Sequence, residues 1–383
     1  MRPSRGGLLL VLLGLSAWIA SCSGDSPAAP EPTLEEELQS IVDQGAQLHN
    51  AVGFAAGLFA PGHGPCVAVS GVSHGNTPIA ADMAFQVGSI TKTFTATVIA
   101  QLLEEGTVTL DDSLHEWLPS FPNIDSSITV RQLLLHTSGV RDIWNHPSIW
   151  DAVMADWSRV WTGEEVLSAF VGSPHFQPGA GWYYTNTNYI LLGLIIERAT
   201  GASLAEAFRH RIIEPLGLAH TYLAAAEPAA APVAHGWKDV DDDGILDDIS
   251  IGESASYYSM GLASSALAAS AGDLIAFSRA LVGGQLVSLQ MLDRMLTDRV
   301  ATPAPGEMRW YGYGIEWHGP DVVGDVEAWG HTGVTGGYLA MWAYLPDWDA
   351  HVVVLQSGDA DLAQVYQKLK EIIAATVRHL SAS

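Results

Sequence analysis

Gly88-Ser89-Ile90-Thr91-Lys92-Thr93-Phe94-Thr95-Ala96-Thr97-Val98-Ile99-Ala100-Gln101-Leu102-Leu103 is the stretch on which the reading of this chain turns. Ser89 to Leu103 reads as a long helix, closed by Glu104-Glu105-Gly106. Lys92 is the only charged residue between Asp82 and Glu104, and Lys238, Lys368 and Lys370 are the only other lysines of the chain. A lone ammonium on so apolar a helix needs a reason. The i, i+3 spacing puts the Ser89 hydroxyl and the Lys92 amine on one helix face. Burial disfavours the charged amine and lowers its pKa, so Lys92 can take the proton from Ser89, and the helix start favours developing negative charge. The alternative is that Ser89 caps the helix and Lys92 snorkels to the surface.

Working outward, Glu35–Leu48 has helical spacing, and Val52–Phe59 and Cys66–Val72 read as two strands joined through Ala60-Pro61-Gly62-His63-Gly64. The middle is rich in helical segments, Val130–Leu135, Gly163–Val171, Tyr189–Ala199 and Leu204–Ile213, and offers no convincing strand. Strand signals return at Tyr313–Trp317, Val326–His331, Tyr338–Tyr344 and His351–Leu355, before a closing helix from Leu362 to Leu380. The outer thirds, 35–110 with 262–383, therefore form an α/β domain around a helical insertion, 111–261. No repeat of fixed period occurs.

The 383 residues carry 17 Lys plus Arg against 42 Asp plus Glu, a formal charge of −25, and 48% of them are hydrophobic. Such a chain can bury a sizeable core, and its charge makes nucleic acid an unsuitable partner. There are two cysteines, Cys22 and Cys66. Arg2 and Arg5, the apolar run Leu8–Leu15 and then Ala20 and Ser21 read as an export signal over 1–21, too short for a membrane span. Ile19-Ala20-Ser21-Cys22 resembles the lipobox of bacterial lipoproteins, which implies acylation of Cys22. Residues 22–34 would then be a solvated tether to a membrane, and the protein an exported cell-envelope lipoprotein on a periplasmic or other extracytoplasmic face. Cys66 would lie alone in an oxidising compartment, within the apolar run Pro65-Cys66-Val67-Ala68-Val69, as an inert buried thiol.

Two further segments join the Ser89-x-x-Lys92 pair. Gly181-Trp-Tyr-Tyr184-Thr-Asn186-Thr-Asn-Tyr189 offers a phenol and an amide on a turn before a helix, and Trp329-Gly-His331-Thr332-Gly333-Val334-Thr-Gly-Gly337 puts a His-Thr-Gly triplet at a strand. In order and spacing, these elements resemble the penicillin-recognising serine hydrolases: class C β-lactamases, D-alanyl-D-alanine carboxypeptidases and their esterase relatives. Leu133-Leu-Leu-His136-Thr-Ser-Gly139, Glu214-Pro-Leu-Gly217-Leu218 and Tyr311-Gly-Tyr-Gly314 add to the likeness, which spans about 35–380. The resemblance implies an antiparallel sheet flanked by helices with an inserted mostly helical domain, and no required cofactor. It implies Ser89 as the acylated nucleophile, Lys92 and Tyr184 sharing the base and acid work, and Asn186 bonding the substrate's amide side chain. His331, Thr332 and Gly333 would form the edge along which substrate docks, with the N–H groups of Ser89 and Val334 as oxyanion hole.

Departures from the family pattern bear on specificity. Class C β-lactamases carry Lys-Thr-Gly where this chain has His331-Thr332-Gly333, so the resemblance leans to the carboxypeptidase and aminopeptidase branch. Those peptidases place a hydroxyl residue after the triplet, where this chain has Val334, and Arg309 is the nearest upstream guanidinium. The expected activity is that of a D-alanyl-D-alanine carboxypeptidase-like peptidase or amidase acting on a small peptide, with an esterase or a class C-like β-lactamase acting on a small ester or β-lactam as the alternative. A non-catalytic peptidoglycan-binding receptor should have lost Ser89, Lys92 or Tyr184, and all three are present.

Other groups read as structural: His136 and Ser138 at a helix-ending turn, and Trp144, Trp150, Trp157 and Trp161 as core and lid packing. Asp239, Asp241, Asp243 and Asp247, with Gly244 between, follow positions 1, 3, 5 and 9 of a calcium loop, but Ser250 stands where the bidentate Glu belongs. They are a candidate structural calcium site or a solvated acidic turn.

Overall fold

The computed structural model describes residues 31–250 and 255–382. The expected export signal, Cys22 and the tether as far as Pro30 lie outside the described residues. Residues Leu34–Ser383 form one compact unit. Among the described residues, no helix is long and apolar enough to cross a membrane.

A nine-stranded sheet runs in the spatial order Thr77–Pro78, His63–His74, Ala51–Ala60, Ala350–Gly358, Tyr338–Leu345, Trp329–Thr335, Glu316–His318, Met308–Tyr311, Val300–Ala301. Every neighbouring pair is antiparallel. Period-two alternation explains why both faces are covered. On Ala350–Gly358, Val352 and Val354 turn to the terminal helices Leu34–Gly45 and Leu362–Ala382, joining Phe54, Leu369 and Ile373. Val353 and Leu355 turn the other way, into a larger cluster with Phe94, Leu191, Phe277 and Trp342. The fold is thus the α/β class with an antiparallel sheet flanked by helices.

The helix Thr91–Glu104 runs through that larger cluster and is buried at eleven of its positions, which explains its apolar run on all sides. Ser89 precedes it, in a single 3₁₀ turn, Gly88–Ile90, so the helix begins two residues later than its pattern suggests. Among its described residues, the region expected to lack strands contains three two-residue ones, Tyr222–Leu223, Trp237–Lys238 and Asp247–Asp248. Tyr222–Leu223 pairs with Leu267–Ala269, which also pairs with Phe85–Gln86, so residues 111–261 are stitched to the segment that leads into Ser89. These strands are too short to show an alternation. The expected strand Tyr313–Trp317 is instead two, Met308–Tyr311 and Glu316–His318, split at a turn where Gly314 takes a positive φ of 63°.

Candidate active site

Lys92 is completely buried, which excludes a snorkelling role, and its Nζ has three partners. It lies 2.9 Å from Ser89 Oγ, 2.8 Å from Asn186 Oδ1 and 2.9 Å from the carbonyl oxygen of Ser264. The last two atoms can only accept, so a neutral amine gives both its hydrogens to them and turns its lone pair to the Ser89 hydroxyl. Burial pushes the Lys92 pKa down to about 7, against the opposing pull of Asp142 and Glu316. Neither Ser89 nor any other side chain caps the helix that follows, so the hydroxyl is not spent on a backbone N–H.

Asn186 opens the helix Asn186–Thr200, which Thr185 caps by accepting the Thr187 N–H. Its amide is oriented by Asp142, whose Oδ2 accepts from Asn186 N at 2.6 Å and from Asn186 Nδ2 at 2.9 Å. Asn186 was expected to bind substrate; the structure engages it first in holding Lys92, leaving one N–H and one lone pair of its amide for a ligand. Tyr184 is hydrogen-bonded to Ser89, and Lys92 Nζ sits 4.8 Å above its ring. Burial first, then Glu316, raises the Tyr184 pKa well above its ordinary value, so the residue stays a phenol.

The strand Trp329–Thr335 pairs along its whole length with Tyr338–Leu345, but on its other side it meets Glu316–His318 only at Trp329 and Gly330. Thr332, Gly333 and Val334 therefore present an open edge, and Val334 is 57% exposed. Two glycines let this edge touch the Ser89 turn. A Cβ on Gly333 would stand 2.0 Å from Val87 O, and one on Gly88, whose φ is +51°, would stand 3.0 Å from Val334 N. The backbone nitrogens of Ser89 and Val334 are thus brought to neighbouring places at the Ser89 turn. His331 is buried beneath: Nδ1 donates to Thr332 O at 2.6 Å and Nε2 accepts from the Tyr311 hydroxyl at 3.1 Å. Its backbone belongs to the edge, whereas its imidazole faces the core.

Sequence reasoning missed four supporting groups: Asp142, Glu316, Tyr311 and the Ser264 carbonyl. Tyr311 stood in a quoted motif, but none of the four carried a spacing signal. Glu316 is buried at 3% exposure and holds Thr332 through its backbone N–H and its hydroxyl, at 2.9 Å each to Oε2. Burial pushes its carboxyl up to about 7.

His136 does not approach Ser138 as a catalytic pair. Its Nδ1 accepts from Thr185 N at 3.2 Å while the Ser138 hydroxyl donates to Asn188 Oδ1 at 2.7 Å, and its ring backs Tyr184 at 4.4 Å. The tryptophans divide. Trp161 is buried, whereas Trp144 and Trp150 form an aromatic wall with Tyr257, at 5.0 and 5.8 Å between centroids. That wall borders the site, because Trp144 N donates to Asp142 and the Tyr257 hydroxyl meets Thr335 Oγ1 at 3.0 Å. Trp157 is 43% exposed. Cys66 is half-buried, a little less than expected, with Sγ 3.7 Å from Leu58 O and a raised pKa set by burial. Arg309 is exposed, and among the described residues Lys92 is the only cation hydrogen-bonded to the groups assembled around Ser89.

Away from this site, carboxylate oxygens of Asp239, Asp241 and Asp243 lie within 4.8 Å of one another. Asp247, the fourth expected ligand, instead accepts from Val240 N at 3.3 Å, and Ser250 bonds the backbone of Gly236. Three of the four expected ligands therefore converge, while the fourth is engaged elsewhere.

The geometry can be set beside known proteins. Over 147 residues the chain is 34% identical to Penicillin-binding protein 4* of Bacillus subtilis strain 168, a match covering 38% of this chain and 31% of that one. It is 29% identical to esterase EstB of Burkholderia gladioli over 51% of this chain and 53% of that one. The aligned part thus spans from about a third to about half of these relatives' length. Among solved structures, the D-amino acid amidase of Ochrobactrum anthropi SV3 superposes with a TM-score of 0.78 at 27% identity, over 91% of this chain and 99% of that one. A D-stereospecific amidohydrolase from a Streptomyces species gives 0.76 at 29% identity, over 88% and 98%. The Beta-lactamase family description matches residues 39–375, and the chain belongs to that family of penicillin-recognising serine hydrolases.

Proposed function

We propose that this protein is a serine amidase that also cleaves esters, working through an acyl-enzyme on Ser89. The observation that carries the reading is the three-partner setting of Lys92, which aims a lone pair at the Ser89 hydroxyl. In acylation the Ser89 Oγ bonds to the substrate carbonyl carbon as its proton passes to Lys92. The oxyanion takes the N–H groups of Ser89 and Val334, and Tyr184 hands a proton to the leaving nitrogen or oxygen while recovering one from Lys92. Water then attacks the ester carbonyl and the same groups run in reverse.

The amidase reading is preferred to the carboxypeptidase expected from sequence. A terminal carboxylate would need donors at the Thr332–Val334 edge, where Val334 has no hydroxyl and the Thr332 hydroxyl is already bonded to Glu316. The D-amino acid amidase and the D-stereospecific amidohydrolase support small D-configured amides as substrates, and the aromatic wall suits an apolar acyl side chain. A fluorophosphonate or β-lactam probe should label Ser89, and Lys92→Ala and Tyr184→Phe should each slow acylation by about 100-fold or more. Labelling at Ser138 with Ser89 untouched would refute the assignment.

Export with acylation of Cys22, attachment to a membrane and structural calcium at the Asp239–Asp247 loop complete the proposal. They rest on the sequence and, for calcium, on the convergence of three carboxylates.

A further inference from the structure

Glu316 occupies the place where the strand Glu316–His318 stops pairing with the substrate-facing strand, and its side chain takes over from the missing backbone partner. Oε2 accepts the Thr332 N–H at 2.9 Å, and the Thr332 hydroxyl lies 2.9 and 3.1 Å from the two carboxylate oxygens. His331 Nδ1 stands 3.3 Å from Oε1 on one side and His318 Nδ1 3.8 Å from Oε2 on the other. A carboxylate has no hydrogen to give, so the single hydrogen of the Thr332 hydroxyl is committed to Glu316. What the half-buried Thr332 turns toward the cleft is a lone pair. The next side chain along the open edge, that of Val334, is exposed and offers no donor either.

We infer that Glu316 is a specificity-determining positioning residue: by fixing Thr332 as a hydrogen-bond acceptor, it makes the subsite beside Thr332 and Val334 select substrates that bring an N–H donor there, an amine or an amide, and reject those that bring a carboxylate. The inference rests on the reading of Ser89 as the acylated group and adds to it the polarity of the neighbouring subsite.

Titration of Glu316 gives the subsite a pH dependence. Burial pushes this carboxyl up to about 7, against the Thr332 bonds and Lys92, which pull it down. Below that pH a protonated carboxyl donates to Thr332 Oγ1, and the Thr332 hydrogen is free to point into the cleft. The titratable groups facing Glu316 are Lys92, His318, His331, Glu307 and the hydroxyls of Tyr184, Tyr189, Tyr311 and Tyr366. Burial keeps His318 and His331 neutral and the tyrosines protonated across this range. Lys92 titrates near the same pH, and its ammonium also favours a carboxy over an aminomethyl ligand, so the part owed to Glu316 is the difference between the unmodified protein and Glu316→Gln.

The test uses reversible serine ligands: phenylboronic acid as reference, with its 3-carboxy and 3-aminomethyl derivatives, each measured as an inhibition constant against p-nitrophenyl acetate turnover. In Glu316→Gln the amide oxygen still takes the Thr332 N–H while its nitrogen donates to Thr332 Oγ1, which reverses the hydroxyl. The carboxy probe should gain about tenfold over the parent and the aminomethyl probe should lose a similar factor, the worth of one hydrogen bond to a charged group. As pH falls from about 8 to 6 the same ratio should move further toward the carboxy probe in the unmodified protein than in Glu316→Gln, where only Lys92 still titrates. Ratios unmoved by the substitution and moving alike with pH in both proteins, with phenylboronic acid still inhibiting, would overturn the role of Glu316 alone. Failure of phenylboronic acid itself to inhibit would overturn the reading of Ser89.

Discussion

Replacing Asp142 by Asn removes a charge from the far side of Asn186 and should move the acidic limb of the pH–rate profile. On the proposed mechanism the limb is set by Lys92, which must be neutral to accept the Ser89 proton and has its pKa lowered to about 7. Asp142 opposes that lowering, since a neighbouring negative charge favours the ammonium. The path from Lys92 Nζ through the Asn186 amide to Asp142 Oδ2 consists of two hydrogen bonds, 2.8 and 2.9 Å. With the width of the amide between them the charges stand roughly 6–8 Å apart, and at an effective dielectric of about 20 one unit charge is worth about 2–3 kcal/mol, or about 1.5 to 2 pH units. Losing Asp142 takes that support from the ammonium, so the midpoint should shift from about 7 toward about 5. The maximal rate should fall, because an Asn at 142 cannot accept from Asn186 and from Trp144 N together without one N–H losing its partner. The assay is kcat/KM on p-nitrophenyl acetate from pH 4.5 to 9. Asp142 is not among the groups that shift Glu316, so a limb that stays at about 7 would belong to Glu316 and refute the assignment of Lys92 as the base.

Val334→Thr should raise kcat/KM on D-alanyl-D-alanine peptides by about tenfold or more through one new charge-assisted hydrogen bond, while small neutral esters change by less than about twofold; unchanged peptide turnover would show that this edge meets no carboxylate. If the acidic loop binds calcium, the melting temperature should rise with millimolar calcium and Asp241→Ala should abolish the rise; indifference to calcium and chelator leaves only a solvated turn. Cys22→Ser should shift the protein from the membrane to the soluble fraction and end palmitate incorporation, and a wild-type protein already soluble would refute the anchor. Burial holds His136, His318, His331 and His351 well below the ordinary imidazole pKa, so the unfolded chain takes up protons below about pH 6.5 that the native one cannot. Glu316, raised to about 7, offsets one of these four, and stability should fall by about 4 kcal/mol per pH unit between about pH 6 and 5. A urea midpoint that is flat over that range would contradict the burial.

The residues legible in the sequence are those whose chemistry is at odds with their local surroundings. Lys92 stood out because a charge on a helix buried on all sides has no structural use, and Tyr184-x-Asn186 and His331-Thr332-Gly333 stood out by order and spacing. Strand boundaries were less legible where the physics is not local. The turn at Gly312-Tyr313-Gly314 hides inside an apolar run, and the two-residue strand at 222–223 owes its pairing to a partner some 45 residues away, whereas 237–238 and 247–248, which pair with each other, are too short to show an alternation. Asp142 and Glu316 were invisible for a related reason. Each is an ordinary carboxyl in an ordinary context until the fold brings Asn186 to one and Thr332 to the other. The structure also altered roles without removing residues: Asn186 became a support for Lys92, and the His331 imidazole a support for Tyr311.

A neutral amine at the centre of so acidic a protein requires local effects to outweigh the general field. A formal charge of −25 favours the ammonium everywhere, yet at physiological salt charges beyond about 8 Å are largely screened, whereas desolvation acts at full strength on a completely buried group and can move a pKa by about 3–5 units. The surroundings of Lys92 are arranged accordingly. Its direct partners are dipoles, the Asn186 amide, the Ser264 carbonyl and the Ser89 hydroxyl, while Asp142 and Glu316 act from behind Asn186 and Thr332. A carboxylate in direct contact would hold the proton on Lys92 and stop it from serving as a base. His136 and His331, both neutral, complete the floor without adding positive charge that would make the amine a still weaker base. The pKa of about 7 therefore comes from opposed effects, burial lowering it and two indirect carboxyls limiting the fall, and either carboxyl offers a position from which the enzyme's working pH range can be moved.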